Sequence, residues 1–166
     1  MVNLFKKIQN TVKNRKTYRA GLLQAKVYRV FKGYTQEKLM SSYNLSTIDW
    51  ALLGLLEDNE NGMRPSVLAE ELGVEAPFVT VLVARLKELG IVDVKSDTSD
   101  NRVKIFYLTA KGKKMVPQIE AYLRGEMKTL IKGISYDELI TYLSVLEKIS
   151  ENAKDMKIKK FAGFKE

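Results

Sequence analysis

A mainly α-helical fold carrying one small β-hairpin is what this sequence predicts, and three observations predict it. Apolar residues recur at three- and four-residue steps over most of the 166-residue chain. Two short β-branched runs, Ile91–Val94 and Val103–Leu108, are separated only by a polar stretch. Pro65, Gly73, Pro77 and Gly90 punctuate the middle of the chain at the joints between segments.

The centre carries the most specific signal. Pro65 to about Leu72 reads as a short helix with Val67, Leu68 and Leu72 on one face. Gly73 suits its C-cap, because glycine adopts the left-handed conformation at no steric cost. Pro77 sits in the first turn of the next helix, where a missing N–H loses nothing. That helix extends to about Leu89, with Val79, Leu82, Val83, Leu86 and Leu89 as its apolar stripe, and Gly90 closes it. The two β-branched runs follow, joined by the tip Ser96–Asn101. A helix-turn-helix followed at once by a hairpin is a winged helix, which places its second helix in a DNA major groove. The hairpin tip then reaches the neighbouring minor groove, whose negative potential favours an arginine.

The flanking segments are helical. Val2, Phe5, Ile8 and Val12 repeat within Met1–Asn14, with Lys6, Lys7 and Lys13 between them. From Thr17 a longer helix carries Leu23, Val27, Val30, Phe31 and Tyr34. This basic amphipathic N-terminus reads as an interface helix with a solvated lysine face, a membrane-surface helix or a transit peptide. Ser46-x-x-Asp49 resembles a capping box opening a strongly apolar helix, Thr47 to Glu57, expected at the centre of the domain. Asp58–Gly62 is a turn cluster. Thr109 is placed to cap a helix from Ala110 that Pro117 should kink or start late, and that Gly133 ends. Ser135-x-x-Glu138 is a second capping box, opening a helix from Tyr136 to about Asn152. The tail Lys154–Glu166 holds five lysines and is expected to fray. The organisation is therefore 1–44 basic amphipathic helices, 45–112 winged helix-turn-helix, 113–153 C-terminal helices and 154–166 basic tail.

Composition narrows the function. The chain has no Cys and no His, which excludes thiol chemistry, disulfides and the commonest zinc ligands. No glycine-rich phosphate loop occurs, and Glu70-Glu71 and Asp137-Glu138 are adjacent helix residues that point apart. An enzyme is not expected, nor a cofactor. No apolar run is long enough for a membrane span and no secretory signal precedes the first helix, so a cytoplasmic protein is the expectation. The net charge of +8 does not by itself argue for DNA. Residues 1–34 hold nine basic and no acidic groups, whereas 45–112 hold 7 basic against 11 acidic. Placement has to carry the argument.

At the central segment the chain resembles the MarR-type (multiple-antibiotic-resistance regulator) transcription factors. The resemblance rests on Leu68-Ala69, on Arg85-Leu86-Lys87-Glu88-Leu89-Gly90-Ile91-Val92, and most on Asp100-x-Arg102 at the wing followed by Leu108-Thr109-x-x-Gly112. It covers roughly residues 20 to 150. It implies a homodimer built through the N- and C-terminal helices, bound to a pseudo-palindromic operator on double-stranded DNA, and in many members released by a small aromatic or anionic ligand. Peroxide sensing through cysteine, known in such regulators, is ruled out here.

Site residues follow from position. Arg102, positioned by Asp100, is the expected minor-groove contact; otherwise it is half of a surface ion pair. Thr80 and Arg85 lie on the second helix outside its apolar stripe, open to a base or phosphate contact or simply solvated. Lys87, Lys95, Lys104 and Arg64 are candidate phosphate contacts, which position the protein without reading sequence. Tyr28, Phe31, Tyr34, Tyr43 and Trp50 are concentrated where the family's effector pocket would lie, although aromatics at helical spacing also serve as core. One departure stands out. Ala76, Pro77, Phe78 and Val81 occupy the front of the recognition helix, where the family has polar groups. Either specificity leans on shape and wing, or DNA binding has given way to a protein-interaction role.

Overall fold

The computed structural model describes residues 2–13, 17–97, 100 and 102–155. The expected basic tail from Met156 onward, and Thr98, Ser99 and Asn101 of the hairpin tip, lie outside the described residues. The elements are α1 (Val2–Lys13), α2 (Thr17–Tyr43), α3 (Thr47–Glu57), α4 (Pro65–Leu72), α5 (Ala76–Glu88), β1 (Val92–Ser96), β2 (Lys104–Leu108), α6 (Ala110–Met127) and α7 (Tyr136–Asp155). The chain divides into two units, residues 1–47 and 48–166.

In the first unit, α1 packs on α2. Helix α2 stops before Asn44, whose positive φ of 53° turns the chain so that the Leu45 N–H donates to the Leu39 carbonyl at 3.3 Å, while the Asn44 N–H donates to Met40 at 3.2 Å. Both close orphan carbonyls of the last turn. The Gln36 side chain accepts from the Thr47 backbone N–H at 2.9 Å.

The second unit is built around the winged helix. Leu52, Leu53 and Leu56 of α3, Leu68 of α4, Val79 and Leu86 of α5, Val92 of β1 and Val116 and Ile119 of α6 form its buried core. Helix α3 is apolar nearly all round, yet Ala51 faces solvent and Trp50 is half-buried. Expected at the centre of the domain, it contributes one strongly buried face, Asp49, Leu52, Leu53 and Leu56. Helix α4 ends in a Schellman motif: Gly73, at φ 66°, donates to Glu70 and Val74 donates to Ala69. Helix α5 ends the same way, with Gly90 donating to Lys87 and Ile91 to Leu86.

The strands pair antiparallel with Val92 opposite Leu108 and Ser96 opposite Lys104. The hairpin starts one residue later than the β-branched pattern implies and runs to Ser96, so the tip is residues 97–103. Met63 adds a third edge by exchanging two 2.9 Å backbone hydrogen bonds with Phe106. Gly62 just before it has φ 83°, and a side chain there would collide with the Phe106 carbonyl.

Thr109 caps α6 by accepting from Gly112 N–H at 3.1 Å, while its hydroxyl lies 2.7 Å from the Gly90 carbonyl, to which it donates. Gly112 is required by space: a Cβ there would stand 2.3 Å from the Ile91 carbonyl oxygen. The Leu108-Thr109-x-x-Gly112 sequence therefore stitches the end of the wing to the turn after α5. Helix α6 runs unbroken from Ala110 through Pro117, so a late start is excluded. It ends at Met127 rather than Gly133; residues 128–133 are hydrogen-bonded turns. The Ser135 box forms reciprocally, with Ser135 N–H donating to Glu138 Oε2 at 2.8 Å and Glu138 N–H donating to Ser135 Oγ at 3.3 Å.

Candidate nucleic-acid interface

Helix α5 buries Val79, Leu82, Val83 and Leu86. At 100° per residue, the line opposite that stripe is Pro77, Val81, Ala84 and Glu88, flanked by Thr80 and Lys87 on one side and Phe78 and Arg85 on the other. Phe78 is 44% and Val81 64% exposed, and Pro77, Thr80 and Ala84 are exposed as well. Thr80 Oγ1 donates back to the Ala76 carbonyl at 3.3 Å. The N-terminal half of the exposed face therefore carries one hydroxyl and no charged group.

The cations around this face have acidic partners more often than sequence position reveals. Arg85 pairs with Asp49, the one buried charged side chain among the described residues. The pair ties α5 to α3, so Arg85 serves the fold directly. Lys87 Nζ stands 2.6 Å from Asp93 Oδ1 at the start of the wing. That contact, together with the Val94 N–H, holds the Asp93 carboxyl below its ordinary value. Arg64, the residue before α4, reaches Asp97 at 3.3 Å and so links the helix-turn-helix to the hairpin. Two of these partners are remote in sequence, 36 residues separating Asp49 from Arg85 and 33 separating Arg64 from Asp97, whereas Asp93 lies six beyond Lys87 across the end of α5. Asp49, legible only as an N-terminal cap residue, was the group most completely missed.

The wing holds the remaining candidates. Lys95 lies over the Tyr107 ring, 5.3 Å from its centroid, and Lys104 Nζ donates to Ser96 Oγ across the register at 3.2 Å. Asp100 Oδ1 accepts the backbone N–H of Arg102 at 2.9 Å, and Val103 N–H donates to the Asp100 carbonyl at 2.9 Å. Asp100 thus shapes the backbone of the tip, a turn chemistry for which aspartate is suited. The Arg102 side chain projects from that turn, exposed.

The aromatic candidates are placed separately, because Trp50 belongs to a different unit from the other four. Tyr28 is 63% exposed with Lys32 over its ring, Phe31 is half-buried, and Lys38 lies over half-buried Tyr34. Tyr43 is the half-buried last residue of α2. Among the described residues no cluster of His, Cys, Asp or Glu could hold a metal ion, and no helix is long and apolar enough to cross a membrane.

The arrangement is similar to that of known proteins. Residues 43–102 match the model of the MarR family, the segment from the end of α2 to the wing arginine. Solved structures of similar fold include the transcriptional regulator BldR from Sulfolobus solfataricus, 24% identical, with a TM-score of 0.74 over 84% of this chain and 98% of that one. CouR from Rhodococcus jostii RHA1, solved bound to p-coumaroyl-CoA, is 22% identical, with a TM-score of 0.71 over 89% and 95%. MepR from S. aureus, solved as a DNA complex, is 22% identical, with a TM-score of 0.66 over 80% and 96%.

Proposed function

We propose that this chain, a winged helix of the MarR family, is a transcriptional regulator that binds DNA as a homodimer and acts as a repressor on a pseudo-palindromic operator. The observation that carries the reading is Arg102: an exposed guanidinium at a hairpin tip whose backbone is shaped by Asp100. Such a tip suits a narrow minor groove, while α5 enters the major groove. Thr80, Arg85, Lys87, Lys95, Lys104 and Arg64 are the accompanying contacts, to phosphate except for Thr80. Arg85 would make its contact while tied to Asp49.

Dimerisation is supported by apolar surface that one chain leaves uncovered. Tyr136, Ile140, Leu143, Leu146 and Ile149 of α7 are all exposed, as are Leu22 and Leu23 of α2. A two-fold pairing is the simplest way to bury them, and it sets two recognition helices about 34 Å apart, one helical turn of DNA. The likeness to CouR, solved bound to p-coumaroyl-CoA, supports a small aromatic or anionic effector, with Tyr28, Phe31, Tyr34 and Tyr43 in the first unit and Trp50 in the second each a candidate contact. Such a ligand would shift the population toward a dimer whose recognition helices no longer match successive grooves.

The test is fluorescence anisotropy with the DNA upstream of its own gene and with scrambled DNA, using wild type and Arg102→Ala. A preference of at least ~10³-fold that weakens in the variant is expected. Equal, weak binding to both DNAs, indifferent to Arg102, would refute it. A protein-interaction scaffold is then the reading left, and one observation favours it: three of the winged domain's seven basic groups, Arg64, Arg85 and Lys87, are already paired to its own carboxylates.

A further inference from the structure

Resting on the DNA-binding reading, we infer that the recognition helix reads thymine methyl groups rather than the hydrogen-bonding edges of guanine or adenine, with Val81 and Phe78 as the specificity-determining side chains. In a helix-turn-helix the N-terminal half of the second helix meets the base edges. In α5 that half presents Pro77, Phe78, Thr80 and Val81 to solvent. The bidentate readers are Arg or Lys for guanine O6 and N7 and Asn or Gln for adenine N6 and N7. Neither pair is on the face. The first cations along the helix are Arg85, turned to Asp49, and Lys87, turned to Asp93. Thr80 commits its one hydroxyl proton to the Ala76 carbonyl, which leaves it only acceptor capacity toward a base.

An apolar face of this kind also fits the groove electrostatically. Between Glu75 and Glu88 the helix carries no carboxylate that would repel the phosphates. The apolar feature of the major groove is the C5-methyl of thymine. Val81 lies on the outermost line of the helix and Phe78 on its flank, one turn apart, so the two side chains can cover methyls on neighbouring base pairs. Each half-site should therefore hold thymines under these two residues, and a guanine there should contribute nothing through its hydrogen-bonding edge.

The experiment selects sites from randomised duplex DNA with the full-length chain. It then replaces individual thymines of the selected half-site by deoxyuridine, which removes the methyl and leaves the pairing edge intact. Burial of one methyl-sized group corresponds to about fourfold in affinity, so wild type should lose about that factor at each thymine under Val81 or Phe78. Val81→Ala and Phe78→Ala, both at exposed positions, should bind the thymine site more weakly. Each should also be indifferent to deoxyuridine at its own thymine only. Specific sites that tolerate deoxyuridine everywhere, or that depend on guanine at the helix, would overturn the methyl readout while leaving DNA binding intact. Selection that returns no preferred sequence would overturn the DNA-binding reading itself, and this inference with it.

Discussion

Replacing Arg85 by alanine should cost more stability than any other exposed-side substitution in the recognition helix, because of what it leaves behind. Asp49 is fully buried, whereas the Arg85 side chain is 40% exposed. Removing the arginine withdraws the cation from a carboxylate that water cannot reach. Breaking a buried pair in this way costs about 3–5 kcal/mol. Asp49→Asn is the milder change: the guanidinium rehydrates at its exposed edge, and the amide keeps hydrogen-bonding capacity, so about 1–3 kcal/mol is expected. The double variant should recover part of the Arg85→Ala loss, since the buried charge is gone. Urea unfolding at one fixed protein concentration measures this, the concentration being held because dimer assembly shifts apparent stability. With a slope of roughly 2 kcal/mol/M, Arg85→Ala should lower the midpoint by ~1.5–2.5 M with little change of slope. Equal effects of the two single variants, or an Arg85→Ala midpoint within experimental error of wild type, would refute the claim that this pair anchors α5 to α3.

Other consequences can be checked alongside. Gly112→Ala drives a Cβ into the Ile91 carbonyl, 2.3 Å away, and should destabilise by about 1–3 kcal/mol through overpacking in a thermal melt. Asp93 and Glu138 both titrate below their ordinary values of 3.8 and 4.5. Their contributions are therefore complete above those values and lost as pH falls through the lower folded ones. Lys87→Ala should raise the Asp93 pKa and Ser135→Ala that of Glu138, read by carboxyl NMR titration; unmoved values would count against these contacts. Asp97→Asn releases Arg64 from its carboxylate and should tighten DNA binding and steepen its salt dependence by up to one ion. Arg102→Ala should flatten that dependence by about one.

How far the chain could be read without coordinates depended on distance along it. The αL turn at Gly73, the Ser135–Glu138 box and the Thr109 cap each satisfy backbone groups within five residues. The residues that make them are thus written side by side. The winged helix was legible for the same reason, its two helices and hairpin being consecutive and locally punctuated. Where local signals weakened, the reading slipped: the turns after Met127 lack a strong stop before Gly133, and a β-branched pattern does not mark where the hairpin ladder begins.

The electrostatic state of the interface was not legible at all. Arg64, Arg85 and Lys87 look alike in sequence as cations near a DNA-binding helix. Only folding shows that Asp97, Asp49 and Asp93 meet them. Arg85 and Arg64 find their partners only when folding brings α3 to α5 and the hairpin to the start of α4, and a Coulomb interaction between groups over thirty residues apart leaves no periodicity to detect. The sequence by itself determined which helices and turns form, because those are short-range hydrogen-bond and burial choices. The tertiary structure alone decided which cations are occupied within the fold, leaving α5 an exposed face of apolar groups and one hydroxyl.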